Sequence, residues 1–259
     1  MKPNPAHRGD PLFLADLLRL WGVKVVEMPG WKTWGTGDFG RIQGVICHHT
    51  GSNTTPASYI ARNPRLDNQL SSQIHLSRDG VATLCGVGQA WHAGRGSYPG
   101  WPTDRANQVS IGIEAQSDGR SPWPKAEMVA YRKIVAAICW YLGYSATTQH
   151  VLGHKEWAAV QGKWDPGGID MNTFRKEVQW YIDNPPFETR KEARKMQLDD
   201  IRKSLVPDSK FEDKLGNFIL HADKNSYMAW RILEEMNQRQ KKMEVELAAL
   251  TARLEKESK

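Results

Sequence analysis

The chain has 259 residues, 40% of them hydrophobic, and a formal net charge of +6, enough for one well-packed domain plus further segments. The positive balance favours an acidic partner, but lysine and arginine are spread along the whole length, which argues against a nucleic-acid patch and leaves an anionic surface or wall polymer. No stretch reaches the roughly 18 apolar residues of a membrane span, and three cysteines (Cys47, Cys85 and Cys139) without a CxxC pair exclude a disulfide framework and read as small buried hydrophobes.

Taken in chain order, Asp10 before Pro11 predicts a helix N-cap and first helical residue, followed by Leu12, Leu14, Leu17, Leu18 and Trp21 and stopped by Gly22. "KVVEM" predicts a short strand, and "GVICHHT" (Gly44–Thr50) a β-rich run ended by "GSN". Thr55-Pro56 opens a helix, and "IHLSRDGVATLC" predicts two short strands around an Arg-Asp-Gly turn. "VSIGIEA" alternates: Val109, Ile111 and Ile113 share one face, Ser110, Gly112 and Glu114 the other. Ala126 to Leu142 is an amphipathic helix with Gly143 as its stop, and Phe174, Val178, Tyr181 and Ile182 mark another that ends at Asn184-Pro185-Pro186. Beyond the prolines tryptophan all but disappears and the chain becomes charged and helix-prone. The expected architecture is an α/β domain, a mixed sheet flanked by helices, followed by a helical tail.

The chemistry-bearing residues lie in separate blocks. Strand alternation sends His48 and His49 to opposite faces, so only one of them serves a given metal. A catalytic zinc needs three protein ligands and an open position, and it profits from a carboxylate base and a cation near the developing oxyanion. His48, His154 and Asp165 can supply the ligands, Glu114 the base and Lys163 the cation; His75, His92 and His150 compete as ligands. His150 and His154 are four apart, but Gly153 between them and the missing glutamate speak against an HExxH helix.

Five blocks, "GVICHHTGS", "SSQIHLSRDG", "QAWHAGRGSYPG", "SIGIEAQSDG" and "LGHKEWAAVQGKWDPGG", stand in the order seen in zinc-dependent N-acetylmuramoyl-L-alanine amidases of the type 2 family, which the chain resembles from about Arg41 to Asn184. The resemblance implies a central mixed sheet with one Zn2+ in a surface cleft, held by His48, His154 and Asp165. It also implies catalysis by Glu114 and Lys163. Where some members carry a tyrosine this chain has Ser72, so it resembles the glutamate-dependent branch; His75 stands where an apolar residue is usual. Trp91, Trp101, Trp123, Trp157 and Trp164 are candidate walls for the sugar or the stem peptide.

These readings imply a peptidoglycan hydrolase that cuts between N-acetylmuramic acid and L-alanine, and a phage endolysin in particular. A non-catalytic peptidoglycan-recognition module and a virion-associated structural protein are the alternatives. The start "MKPNPAHRGDPLFLADLL" lacks the features of a signal peptide, so the expected location is the host cytoplasm before lysis and then the cell wall, after holin-dependent release. The expected organisation is a helix-and-strand extension over residues 1–40, the zinc amidase domain over 41–184, a charged linker segment over 185–225 and a coiled-coil-like helix over 226–259. In the last segment Leu233, Met236, Gln240, Met243, Leu247, Leu250 and Leu254 recur three and four apart, the a/d seam of a self-associating helix.

Overall fold

The computed structural model describes residues 1–187, which fall within one compact unit. Eleven regular elements follow in order: α1 (Leu14–Leu20), β1 (Lys24–Glu27), β2 (Gly44–His49), α2 (Ala57–Ala61), β3 (Ile74–Leu76), β4 (Val81–Leu84), β5 (Ser110–Ala115), α3 (Lys125–Leu142), β6 (Val151–Gly153), α4 (His154–Trp157) and α5 (Met171–Asp183). The strands form one six-stranded sheet in the order β1-β4-β3-β5-β2-β6. The β3–β4 pair, joined at the Arg-Asp-Gly turn, is antiparallel, and every other pairing is parallel.

β2 lies between β5 and β6 and is buried along its full length. This accounts for its near-continuous apolar run, since a strand covered on both faces has no wet side to alternate toward. Val45, Cys47, Ile111 and Ile113 point to the face covered by α1, α3 and α5, while Ile46 joins Trp101, Leu152 and Trp157 on the other. α3 meets the first face with Tyr131, Ile134, Val135, Ile138 and Leu142, an i, i+3/i+4 stripe whose larger members each contribute about 1.5–3 kcal/mol on burial. Gly143 ends α3 in the left-handed conformation at φ 73°, where a side chain would be strained. Asp170 caps α5 by accepting the Thr173 N–H at 2.7 Å. All three cysteines are free and buried, and burial pushes the Cys47 and Cys85 thiols up to about 12.

Two expectations need correction. Asp10 does not cap α1: its Oδ1 accepts the distant Phe39 N–H at 2.9 Å, and the helix starts at Leu14 after a turn over Pro11–Phe13. Leu12 is consequently exposed, whereas Leu14, Leu17, Leu18 and Trp21 are in the core. Residues 1–40 do carry a helix and a strand, but these are built into the domain, because β1 pairs with β4 as a sheet edge and α1 packs in the same core as α3. The expected segments over 185–225 and 226–259 lie, from residue 188 onward, outside the described residues, and with them the a/d seam. No helix among the described residues is long and apolar enough to cross a membrane.

One buried carboxyl in the scaffold stands apart from the site. Glu127, in the first turn of α3, is fully buried. Burial pushes it up to about 7, with the Arg78 guanidinium opposing the rise. The folded state therefore holds a proton that the unfolded chain releases near the ordinary glutamate value, so stability falls as pH rises from about 4.5 to 7. Glu127→Gln should flatten this slope and be the more stable form at pH 8. Thermal unfolding of both proteins between pH 5 and 8 checks it, and parallel curves would contradict it.

Candidate metal centre

The site is assembled at the carboxyl ends of the central parallel strands, the usual place for a ligand in an open α/β sheet. His48 is the penultimate residue of β2, and its register partner on β5 is Glu114. β6 pairs with β2 through Gly153 opposite Cys47, and the next residue, His154, opens α4. The loop after α4 then returns Asp165 to the same point. His48, His154 and Asp165 are all buried, and one ligand atom from each lies within 4.8 Å of the others. His48 Nδ1 and His154 Nδ1 stand 3.1 and 3.0 Å from the same Asp165 oxygen, Oδ2.

The hydrogen bonds around these groups decide what fits between them. His154 Nε2 is 3.0 Å from the Ala93 carbonyl, His92 Nε2 is 3.1 Å from the Ser110 carbonyl, and His92 Nδ1 is 3.0 Å from His48 Nε2. With the two contacts to Asp165, that makes a chain of five close contacts, each needing a proton, through three imidazoles. Three neutral imidazoles carry three protons. The carbonyls can only accept, so His154 and His92 must place their protons on Nε2. His92 Nδ1 is then an acceptor, and His48 must donate from Nε2. Both Nδ1 lone pairs are left facing the Asp165 carboxylate.

Extra protons are an unfavourable remedy. Burial, with the nearby His154 adding to it, pulls His48 down to about 4, and burial pulls His92 well below the ordinary histidine value. A proton on Asp165 could reach only one of the two lone pairs that face it. Two nitrogen lone pairs and a carboxylate oxygen converging on one point are the donor set of a divalent cation. Tetrahedral zinc, with ligands at 2.0–2.1 Å, sets neighbouring donors about 3.3 Å apart, close to the two distances from Asp165 Oδ2.

Two further groups lock these side chains in place. Glu156 accepts the Gly153 N–H at 2.9 Å and is gripped through both carboxylate oxygens by Arg175 of α5, at 2.8 and 2.9 Å. This fixes the first turn of α4, which carries His154. Lys155 donates its backbone N–H to the Asp165 carbonyl at 2.7 Å and its ammonium to the Pro166 and Ile169 carbonyls at 3.1 and 2.6 Å. The loop bearing Asp165 is therefore tied to the helix bearing His154.

Glu114 is largely buried, and its Oε2 meets no hydrogen-bond donor among the described residues. Burial raises its carboxyl well above the ordinary value; Asp165 adds to the rise and Lys163 opposes it. Lys163 is exposed, and its charge also acts on His48. His49 turns away from the ligands, as alternation predicts, and its Nδ1 accepts the Gly167 N–H at 2.9 Å. His75 bonds the Thr55 carbonyl through Nε2, and His150 bonds the Gln43 carbonyl through Nδ1, so neither competes as a ligand. Ser72 is buried. Of the five candidate tryptophans, Trp101 and Trp157 are core residues, Trp123 is half-buried and bonds the Gly167 carbonyl, and Trp91 and Trp164 are about half exposed.

In the sequence His92 reads as a rival ligand or a loop residue, and Ala93, Glu156 and Arg175 carry no evident role. His92 could have been noticed from its block, "AWHAG". The others act through a carbonyl or across a long separation and carry no local pattern.

The sequence model of the N-acetylmuramoyl-L-alanine amidase family matches residues 38–168. Among solved structures the chain is similar to AmpD, at 22% identity over 60% of this chain and 94% of that chain, with a TM-score of 0.46. It is similar to the catalytic domain of XlyA at 18% identity, over 60% of this chain and 99% of that chain, with a TM-score of 0.44. A third is AmiD from E. coli, solved with anhydro-N-acetylmuramic acid-L-Ala-D-γ-Glu-L-Lys, at 23% identity over 54% of this chain and 58% of that chain, with a TM-score of 0.43. Comparison with curated proteins finds no match. The family match spans half of the sequence and includes all five expected site residues, His48, Glu114, His154, Lys163 and Asp165: the chain belongs to the type 2 N-acetylmuramoyl-L-alanine amidases.

Proposed function

We propose that this amidase is zinc-dependent, that it hydrolyses the bond between the lactyl group of N-acetylmuramic acid and the L-alanine of the stem peptide, and that it serves a phage as an endolysin. The observation that carries the catalytic reading is the convergence of His48 Nδ1, His154 Nδ1 and Asp165 Oδ2 beside the sequestered carboxyl of Glu114. A complete ligand set favours cleavage over recognition alone.

His48, His154 and Asp165 would hold the zinc, which would supply Lewis acidity for the scissile carbonyl and for a water nucleophile at neutral pH. Glu114 is the base. Burial makes its carboxylate a stronger proton acceptor than an exposed glutamate, suited to taking a proton from the attacking water. The same carboxyl then delivers that proton to the departing L-alanine nitrogen as the carbon–nitrogen bond breaks, leaving a lactyl carboxylate and a free amine. Lys163 brings a positive charge toward the oxygen on which negative charge develops. The half-exposed Trp91 and Trp164, each next in sequence to a residue of the proton chain, are the remaining candidates for substrate walls.

The endolysin reading rests on the charged stretch that continues past the family domain, which a cytoplasmic muropeptide-recycling amidase does not require. It places the protein in the host cytoplasm until a holin opens the membrane, and then on the wall. Co-expression with a holin should clear a bacterial culture, whereas a culture that stays turbid although the purified protein digests the wall would contradict that role.

Mass spectrometry of digested peptidoglycan tests the bond. Free stem peptides beginning with L-alanine are expected, and new reducing sugar ends would indicate a glycosidase instead. Glu114→Gln should retain zinc and lose about 10²- to 10⁴-fold in rate; digestion at the parent rate would remove Glu114 from the mechanism. Chelation, or His154→Ala, should abolish digestion while circular dichroism shows the fold largely kept, and full activity in metal-free protein would overturn the zinc reading.

A further inference from the structure

The segment Trp91–Ala93 touches both histidines that face Asp165, each on the nitrogen turned away from it. His92 offers its Nδ1 to His48 Nε2, and the next residue offers its carbonyl to His154 Nε2. The segment is pinned from below. Asn107 accepts the backbone N–H of His92 at 3.1 Å and of Ala93 at 2.7 Å through one side-chain oxygen, and His92 Nε2 bonds the Ser110 carbonyl. The sheet is also shaped around it. A Cβ placed on Gly112 would lie 2.7 Å from the His92 ring and 2.7 Å from the Ser72 hydroxyl oxygen, closer than carbon atoms approach without something moving. Gly112, an ordinary-looking glycine in β5, is thus the space in which His92 sits.

We propose that His92 and the Ala93 carbonyl, anchored together by Asn107, are the positioning element of the metal centre, holding both ligand histidines with their protons on Nε2 and their Nδ1 lone pairs free for zinc. The proposal rests on the zinc reading above. An imidazole that can choose between tautomers spends part of its time with a proton where the metal must bind, and it rotates about its side-chain bonds. A fixed acceptor behind each ring removes both freedoms. Partners of this kind behind metal-binding histidines are typically worth about 10- to 100-fold in metal affinity. One rigid segment here serves two ligands, so a disturbance of its anchor should reach both.

The test is zinc affinity, measured by competition with a chromogenic chelator on the full chain, alongside His154→Ala as a control that removes a ligand. His92→Phe keeps the ring shape and removes the acceptor, and it should weaken zinc binding by about 10- to 100-fold. His92→Asn places its Oδ1 where Nδ1 lies and should stay within about threefold of the parent. In long-range proton–nitrogen spectra of the zinc-loaded parent, the His48 Nε2 proton should be present and slow to exchange, and His92→Phe should lose that protection. Because His92→Phe also leaves buried groups unpaired and can fail to fold, Asn107→Leu against Asn107→Asp provides a second pair: the first loses the acceptor and weakens zinc binding, the second keeps it. A parent that binds one zinc, lost in His154→Ala, together with parent-like affinity in His92→Phe and Asn107→Leu would overturn the proposal while leaving the zinc reading intact. A parent that binds no zinc at micromolar concentration would overturn the zinc reading itself and the proposal with it.

Discussion

Asp165 Oδ2 lies about equally far from the Nδ1 atoms of two histidines, and the protons available to the three imidazoles cannot fill the contacts around it. The two carbonyls at the ends of the chain are the fixed points. Ser110 and Ala93 can only accept, and that one-sidedness propagates through His92 to His48 and directly to His154. Both shortfalls collect at the carboxylate. A point of low dielectric that gathers a negative charge and two lone pairs is unfavourable for an apolar filling and favourable for a small divalent cation. The rest of the domain can be understood as what keeps those atoms there.

The sheet supplies the coarse placement. Burying β2 on both faces fixes its register against β5 and β6, and a one-residue slip would exchange His48 for His49 or Cys47 at the site. α3 reinforces the strand end, where the Tyr131 hydroxyl donates to the His48 carbonyl at 2.9 Å. Finer placement comes from charge. The Glu156–Arg175 pair ties α4 to α5, and the Lys155 ammonium holds the carbonyls that follow Asp165. A buried ion pair is a weak source of net stability, because desolvation offsets most of its attraction. Its value here is geometric, since it fixes the first turn of a helix only four residues long.

Much of this was legible in the sequence. The alternation in "VSIGIEA" separated Glu114 from the core face, the paired histidines of "CHHT" were correctly split between faces, and Gly143 marked the end of α3. The convergence of His48, His154 and Asp165 was readable because five blocks occur in one order, although no single block was decisive. What was not legible depended on groups without a local pattern. Asp10 looked like a cap, yet its carboxylate is used by Phe39, a contact no short window contains. The tryptophans could not be divided by type, because burial of Trp101 and Trp157 against exposure of Trp91 and Trp164 depends on tertiary packing. The Ala93 carbonyl belongs to the backbone and leaves no trace in residue identity. Gly112 reads as a weak point in a strand until the ring beside it is seen.

The central claim is that three particular atoms bind one metal ion, and diffraction at the zinc absorption edge from crystals of the zinc-loaded protein tests it most directly. The account predicts one anomalous peak per chain, about 2.0–2.2 Å from His48 Nδ1, His154 Nδ1 and an Asp165 carboxylate oxygen. No peak at that point, or a peak coordinated through Nε2 of either histidine, would contradict it.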